Sequence, residues 1–163
     1  MYLYQPIATT FAAIVVVCVT GYFAWHQREI AKEQARIAKE KLRLDLYDRR
    51  FEIFSSIFDF YEAMISWEGT LEQKAARTRF FRAYQESDFL FTKESGIPDT
   101  LKMLLDAGAA VIGFKENSEK YKSDPKFLME QFNKTTDIQL RVFEEGLSKL
   151  RAAMHQYLDF SKI

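Results

Sequence analysis

The chain has 163 residues, with 23 Lys and Arg set against 23 Asp and Glu. That balance excludes a nucleic-acid binder held by a global basic field, so no nucleic acid is expected as a partner. The single cysteine, Cys18, excludes a disulfide within the chain and any cysteine-based metal site.

The first element is an uncharged run, Ile7–Trp25, reading IATTFAAIVVVCVTGYFAW. As a helix rising about 1.5 Å per residue it covers roughly 28 Å, the thickness of a bilayer's hydrocarbon core. The run predicts a transmembrane helix within an anchor of residues 1–27. A cleaved signal peptide needs a positive n-region, and MYLYQP has no Lys or Arg. A lipoprotein signal needs a small residue before its cysteine, where Val17 stands. Tyr2 and Tyr4 on one side, with Tyr22, Phe23 and Trp25 on the other, suit the two interfacial belts. Small residues Thr9, Ala13, Thr20 and Ala24 offer a surface against which a second anchor packs. Arg28, Lys32, Arg36, Lys39, Lys41 and Arg43 follow the run, which by the positive-inside rule leaves the N-terminus outside and the C-terminal part in the cytoplasm.

Residues 28–43 are charged and Ala-rich, supported by pairs such as Glu29–Lys32 and Glu40–Arg43. They predict a solvated helical stalk continuing the membrane helix, and with the anchor they form one route to a homo-oligomer. No Gly or Pro interrupts Arg28–Glu68. Along it Ile30, Ile37, Leu44, Phe51, Phe58 and Ile65 recur every seven residues, with Tyr47, Phe54 and Tyr61 between the later ones. A second stripe, Leu42, Leu46, Ile53, Ile57, Phe60, Met64 and Trp67, runs beside the first, and the opposite side is acidic and serine-rich. So broad an apolar face predicts several helical neighbours and not a single coiled-coil partner.

Gly69 predicts a left-handed C-cap, and Thr70 with Gln73 a capping box opening a second helix, Leu71 to about Phe91. That helix is expected to bury Leu71, Ala76, Phe80, Phe81, Tyr84 and Phe91. Residues 93–97 form a turn, and Pro98 suits the first turn of a third helix carrying Leu101, Leu104, Leu105, Gly108, Val111 and Ile112. Asp124-Pro125 breaks the chain before a fourth helix, from about Lys126 to Phe160, which 133–136 is expected to kink or split in two. No strand alternation appears. The expected fold is all-α: the anchor continues through the stalk into an antiparallel four-helix bundle of residues 44–163.

With the anchor, the stretch Lys41–Phe51 (KLRLDLYDRRF), DFLF at Asp88–Phe91 and the ending YLDFSKI, the chain resembles a widespread group of small bacterial membrane-anchored proteins without an assigned activity. The resemblance implies a bacterial inner-membrane protein of this architecture and brings no catalytic residues.

Arg50 has Leu46, Tyr47, Ile53 and Phe54 as its helical neighbours, an apolar setting in which an unpaired guanidinium is costly. Asp88 shares a face with Phe81, Tyr84 and Phe91, and the turn at 69–70 lies about nineteen residues from each. An antiparallel hairpin then puts Arg50 and Asp88 at one level, as a structural ion pair that fixes register or as a polar pocket. His26 and His155 have no second ligand at metal-binding spacing, and Glu144 and Glu145 are not in a Glu-x-x-His arrangement. No phosphate loop, catalytic triad or activated cysteine is evident, so neither metal nor cofactor nor catalysis is expected. The run Lys74, Arg77, Arg79, Arg82 reads as a solvated face. Two functions remain: a membrane-tethered module for an unknown protein partner or signal, and a small-molecule or lipid-sensing bundle with its pocket at the Arg50–Asp88 level.

Overall fold

In the computed structural model the backbone is described for residues 5–159 and side chains for residues 13–159. The described chain is all-α, without strands. Helix α1 spans Gln5–Ile65, α2 Leu71–Leu90, α3 Ile97–Asn117, α4 Pro125–Asp137 and α5 Phe143–Leu158. Short 3-10 turns, Lys93–Ser95 and Ser118–Ser123, join α2 to α3 and α3 to α4. A π turn, Ile138–Val142, joins α4 to α5 without a break.

The chain divides into two compact units, residues 1–44 and 45–163. The first is a lone helix, fixed along its surface by local pairs: Lys32–Glu29 at 3.3 Å, Arg36–Glu33, and Arg43–Glu40 at 3.9 Å. Among the described residues no helix is long and apolar enough to cross a membrane. The side chains of residues 7–12, part of the expected span Ile7–Trp25, lie outside the described ones, as do Tyr2 and Tyr4 and the end of the chain beyond Asp159.

The second unit is a bundle whose directions follow from its side-chain pairs. Phe60 stacks on Phe80 at 4.8 Å between ring centroids, and Arg50 reaches Leu90, so α1 and α2 run antiparallel. Phe60 lies against Gly108 and Trp67 bonds Glu116, so α3 runs parallel to α1. Tyr61 meets Phe143 and Arg50 meets Tyr157, so α5 runs back again. The core draws Ile53, Ile57, Phe60 and Met64 from α1, Phe80 from α2, Leu101, Leu104 and Ile112 from α3, and Phe143, Leu150 and Met154 from α5. Helix α4 contributes little: its one buried residue is Thr135.

Turn chemistry explains the connections. Gly69 adopts φ +79°, which a side chain disfavours. Thr70 and Gln73 close the capping box in both directions, and the Gln73 amide also donates to Ser66 O at 2.6 Å. Asp124 caps α4 by accepting from Phe127 N at 3.1 Å.

Two expectations about faces are corrected. The heptad stripe of α1 stays outside: Phe51 is 48%, Phe58 38% and Ile65 46% exposed, and only the neighbouring stripe Ile53–Ile57–Phe60–Met64–Trp67 is buried. The helix needs about a third of its circumference for the core, and the bundle closes over one stripe, not two. On α2 the buried face is Ala76, Phe80, Ala83 and Ser87, so Leu71 and Phe81 are exposed. Small residues let α2 approach α1, where Ala63 and Ala76 line one cleft and Ser56 and Ala83 another. The kink or split expected at 133–136 falls just beyond, at the π turn that divides α4 from α5, where Phe143 N–H donates to Ile138 O five residues back.

Candidate functional site

Arg50 is half-buried on α1 and projects toward the C-terminal end of α2. Its Nε and Nη2 donate to Leu90 O at 3.4 and 3.3 Å. Its guanidinium carbon lies 4.9 Å from the Tyr157 ring centroid and 5.8 Å from that of Phe91. The two rings meet edge to face at 5.1 Å. Leu90 ends α2, whose last turn has no basic residue. A helix C-terminus carries partial negative charge and unbonded carbonyls, so a cation from α1 satisfies both.

Asp88 is exposed and, among the described residues, forms no ion pair with Arg50. The hairpin height holds, since residues 50 and 90 stand symmetrically about Thr70. The face does not: Ser87 is the fully buried neighbour, and Asp88 lies about 100° further round the helix. Arg50 therefore finds a carbonyl and two rings in place of a carboxylate. The available signal was the missing cation at the end of α2.

The same device recurs at the other end of the bundle. Helix α1 also ends without a basic residue, and Lys115 of α3 donates to Ile65 O, its last carbonyl. Burial pushes the Lys115 ammonium below the usual lysine range. Beside it Trp67 Nε1 donates to Glu116 at 3.1 Å, tying the turn after α1 to α3. Two interhelix cations thus clasp the two ends of the bundle.

The interior is chemically closed. Buried Ser56, Ser87 and Thr135 each donate to their own helix, to Ile53 O at 2.8 Å, Tyr84 O at 2.6 Å and Gln131 O at 2.9 Å. Among the described residues no buried side-chain nitrogen or oxygen lacks a partner, and no group of three His, Cys, Asp or Glu is placed to hold a metal ion. His26 lies exposed in the first unit, 3.0 Å from the Tyr22 hydroxyl, and His155 is exposed on α5. The basic run on α2 is exposed, with Arg79 3.6 Å from Asp59 of α1. At the π turn Arg141 holds Asp137 through two bonds of 3.0 and 2.9 Å, keeping that carboxyl below its usual range.

No protein family matches the chain, and neither a curated protein nor a solved structure does.

Proposed function

We propose that the chain is a single-pass protein of a bacterial inner membrane, its N-terminus outside. Its cytoplasmic bundle serves as a protein-interaction or signalling module and not as a catalyst. The observation that carries the reading is the apolar surface at the start of α1. From Ala13 onward the helix has no packing partner within its unit, and Ile14, Val15, Val16, Val17, Val19 and Phe23 are all exposed. A contiguous apolar patch of this kind is unfavourable in water and is matched by lipid. The one-sided basic flank from Arg28 to Arg43 supports the orientation, and the resemblance carried by KLRLDLYDRRF supports the bacterial inner membrane. The Arg50 level supports a structural clasp, since its guanidinium already has a carbonyl and two rings. The ligand-sensing alternative is therefore the weaker one.

Fractionation tests the anchor: the full chain should stay with membranes through alkaline carbonate extraction, and release into the supernatant would overturn it. A reporter active only in the cytoplasm, fused after Ile163, should be active; activity of a periplasm-only reporter would reverse the orientation.

A further inference from the structure

After the bundle has closed, α1 still exposes a ridge of Phe51, Phe58 and Ile65, with Phe54 between them half-buried against the core. Its rings are in continuous contact, Phe51 with Phe54 at 6.5 Å and Phe54 with Phe58 at 5.1 Å, and Tyr47 stacks on Phe51 at 6.2 Å. Apolar side chains this large and this contiguous on a surface mark an interaction site. The sequence says what kind. The seven-residue step through Phe51, Phe58 and Ile65 runs back without a break through Leu44, Ile37 and Ile30. A straight helix drifts by about 20° per seven residues, so a period held this long fits only a partner that supercoils with it. A globular partner has no use for that period, whereas a second copy brings the same one by symmetry.

Charge gives the direction. Arg43 precedes Asp48 by five residues, and both flank the stripe. In a parallel, in-register pair those two positions face each other across the seam at the start of the ridge and attract, while the like-charged Arg36 and Lys41 one heptad earlier lie in the part that Glu33 and Glu40 interrupt. An antiparallel pair centred on the stripe sets Asp48 against Asp48 of the other copy. The acidic positions that interrupt the stripe, Glu33 and Glu40, are each bonded to an arginine of their own helix, Arg36 and Arg43. The seam is fully apolar only from Leu44 onward, so the ridge carries the contact. We propose that a second copy of this chain docks, parallel and in register, along Phe51–Phe58–Ile65.

The test uses the full chain in its membrane, with Cys18→Ala removing the native thiol. Single cysteines go in at Leu44 and Phe58 on the stripe and at Glu52 and Glu86 off it. Disulfides need Cα atoms within roughly 7 Å, so oxidation should link the stripe positions at least about fivefold more than the others. In detergent micelles the wild-type protein should have twice the chain mass. Phe51→Lys/Phe58→Lys should halve it with unchanged helical circular dichroism, because both positions are exposed in one copy. Equal linking at all four positions, a monomeric wild type, or a dimer that survives the double substitution would each overturn the proposal. So would linking of Ile30→Cys only to Ile65→Cys, the antiparallel signature. A monomer that still resists carbonate extraction removes the ridge contact and leaves the anchor standing.

Discussion

One helix, α1, is stabilised in two different ways along its length. Between Arg28 and Leu44 it relies on pairs three residues apart in water, such as Lys32–Glu29, whose side chains are more than half exposed. A pair of that kind contributes about 0.2–0.5 kcal/mol. Between Asp45 and Ile65 the same helix buries Ile53, Ile57, Phe60 and Met64 almost completely. Each such side chain contributes about 1.5–3 kcal/mol on leaving water. Intrinsic propensity favours the first part, rich in Ala, Glu, Lys and Arg, over the second, rich in Phe, Ser, Asp and Tyr, so the second part depends on tertiary packing to be helical. The first unit is a helix because its sequence allows it; the second is a helix because the fold requires it.

Substitutions separate the two regimes, read by urea unfolding of the full chain in detergent, with Trp25→Phe throughout so that Trp67 fluorescence is the probe. Trp67 is buried in the bundle and reports on it directly. The largest effect is expected from Phe60→Ala. That ring is fully buried against Phe80 and Phe143, and its loss should cost about 3–5 kcal/mol. A loss under about 1 kcal/mol would mean that the bundle core is not where these contacts put it.

Next comes Gly108→Ala. A Cβ there would lie 2.4 Å from the Phe60 ring, which is held by Phe80 and cannot swing aside. Overpacking should destabilise by about 1–3 kcal/mol even though alanine favours the helix. Gly113→Ala, on the same helix with nothing within 4 Å of the new carbon, should instead stabilise by about 0.5–1 kcal/mol. Equal signs at the two glycines would refute the close α1–α3 approach.

A double-mutant cycle then weighs the clasp at the end of α2. Arg50→Met and Tyr157→Leu should couple by about 0.5–1.5 kcal/mol, while Arg50→Met and Asp88→Asn should be additive within about 0.5 kcal/mol. Coupling to Asp88 instead would restore the ion pair expected from the sequence. The smallest effect belongs to the first unit: Lys32→Ala should leave the Trp67 transition unmoved. A shift there would show that the two regions do not separate as described.

Much of this was legible in the sequence, and the misreadings share a cause. Gly69, Thr70 and Gln73 act through backbone chemistry that depends on their own positions, so the first turn and the height of Arg50 could be read directly. The buried face of α2 could be read only in part. The sequence points Ala76 and Phe80 inward, as they are, but it passes over Ala83 and Ser87, which hydrophobicity ranks low, and points Leu71 and Phe81 to the wrong side. Close approach of two helices selects small residues, and that selection depends on the neighbour. The partner of Arg50 was hidden for a related reason, because a backbone carbonyl has no letter in the sequence.

The π turn has a consequence best put in terms of insertion and deletion. Continued backward from Phe143, Leu150 and Met154 as plain α-helix, the inward side would pass through Phe132 and Met129. Both are more than half exposed, and Thr135, with half-buried Leu128 and Gln131, faces inward in their place, one residue earlier. A π turn is an α-helix carrying one surplus residue. Loss of a single codon within 138–142 would remove the surplus and leave plain α-helix, with Thr135, Gln131 and Leu128 still inward and now in phase with Phe143 and Leu150. Only the full-length chain wound as plain α-helix would turn Phe132 and Met129 inward, so the π turn is what lets α4 carry one residue more than its face requires.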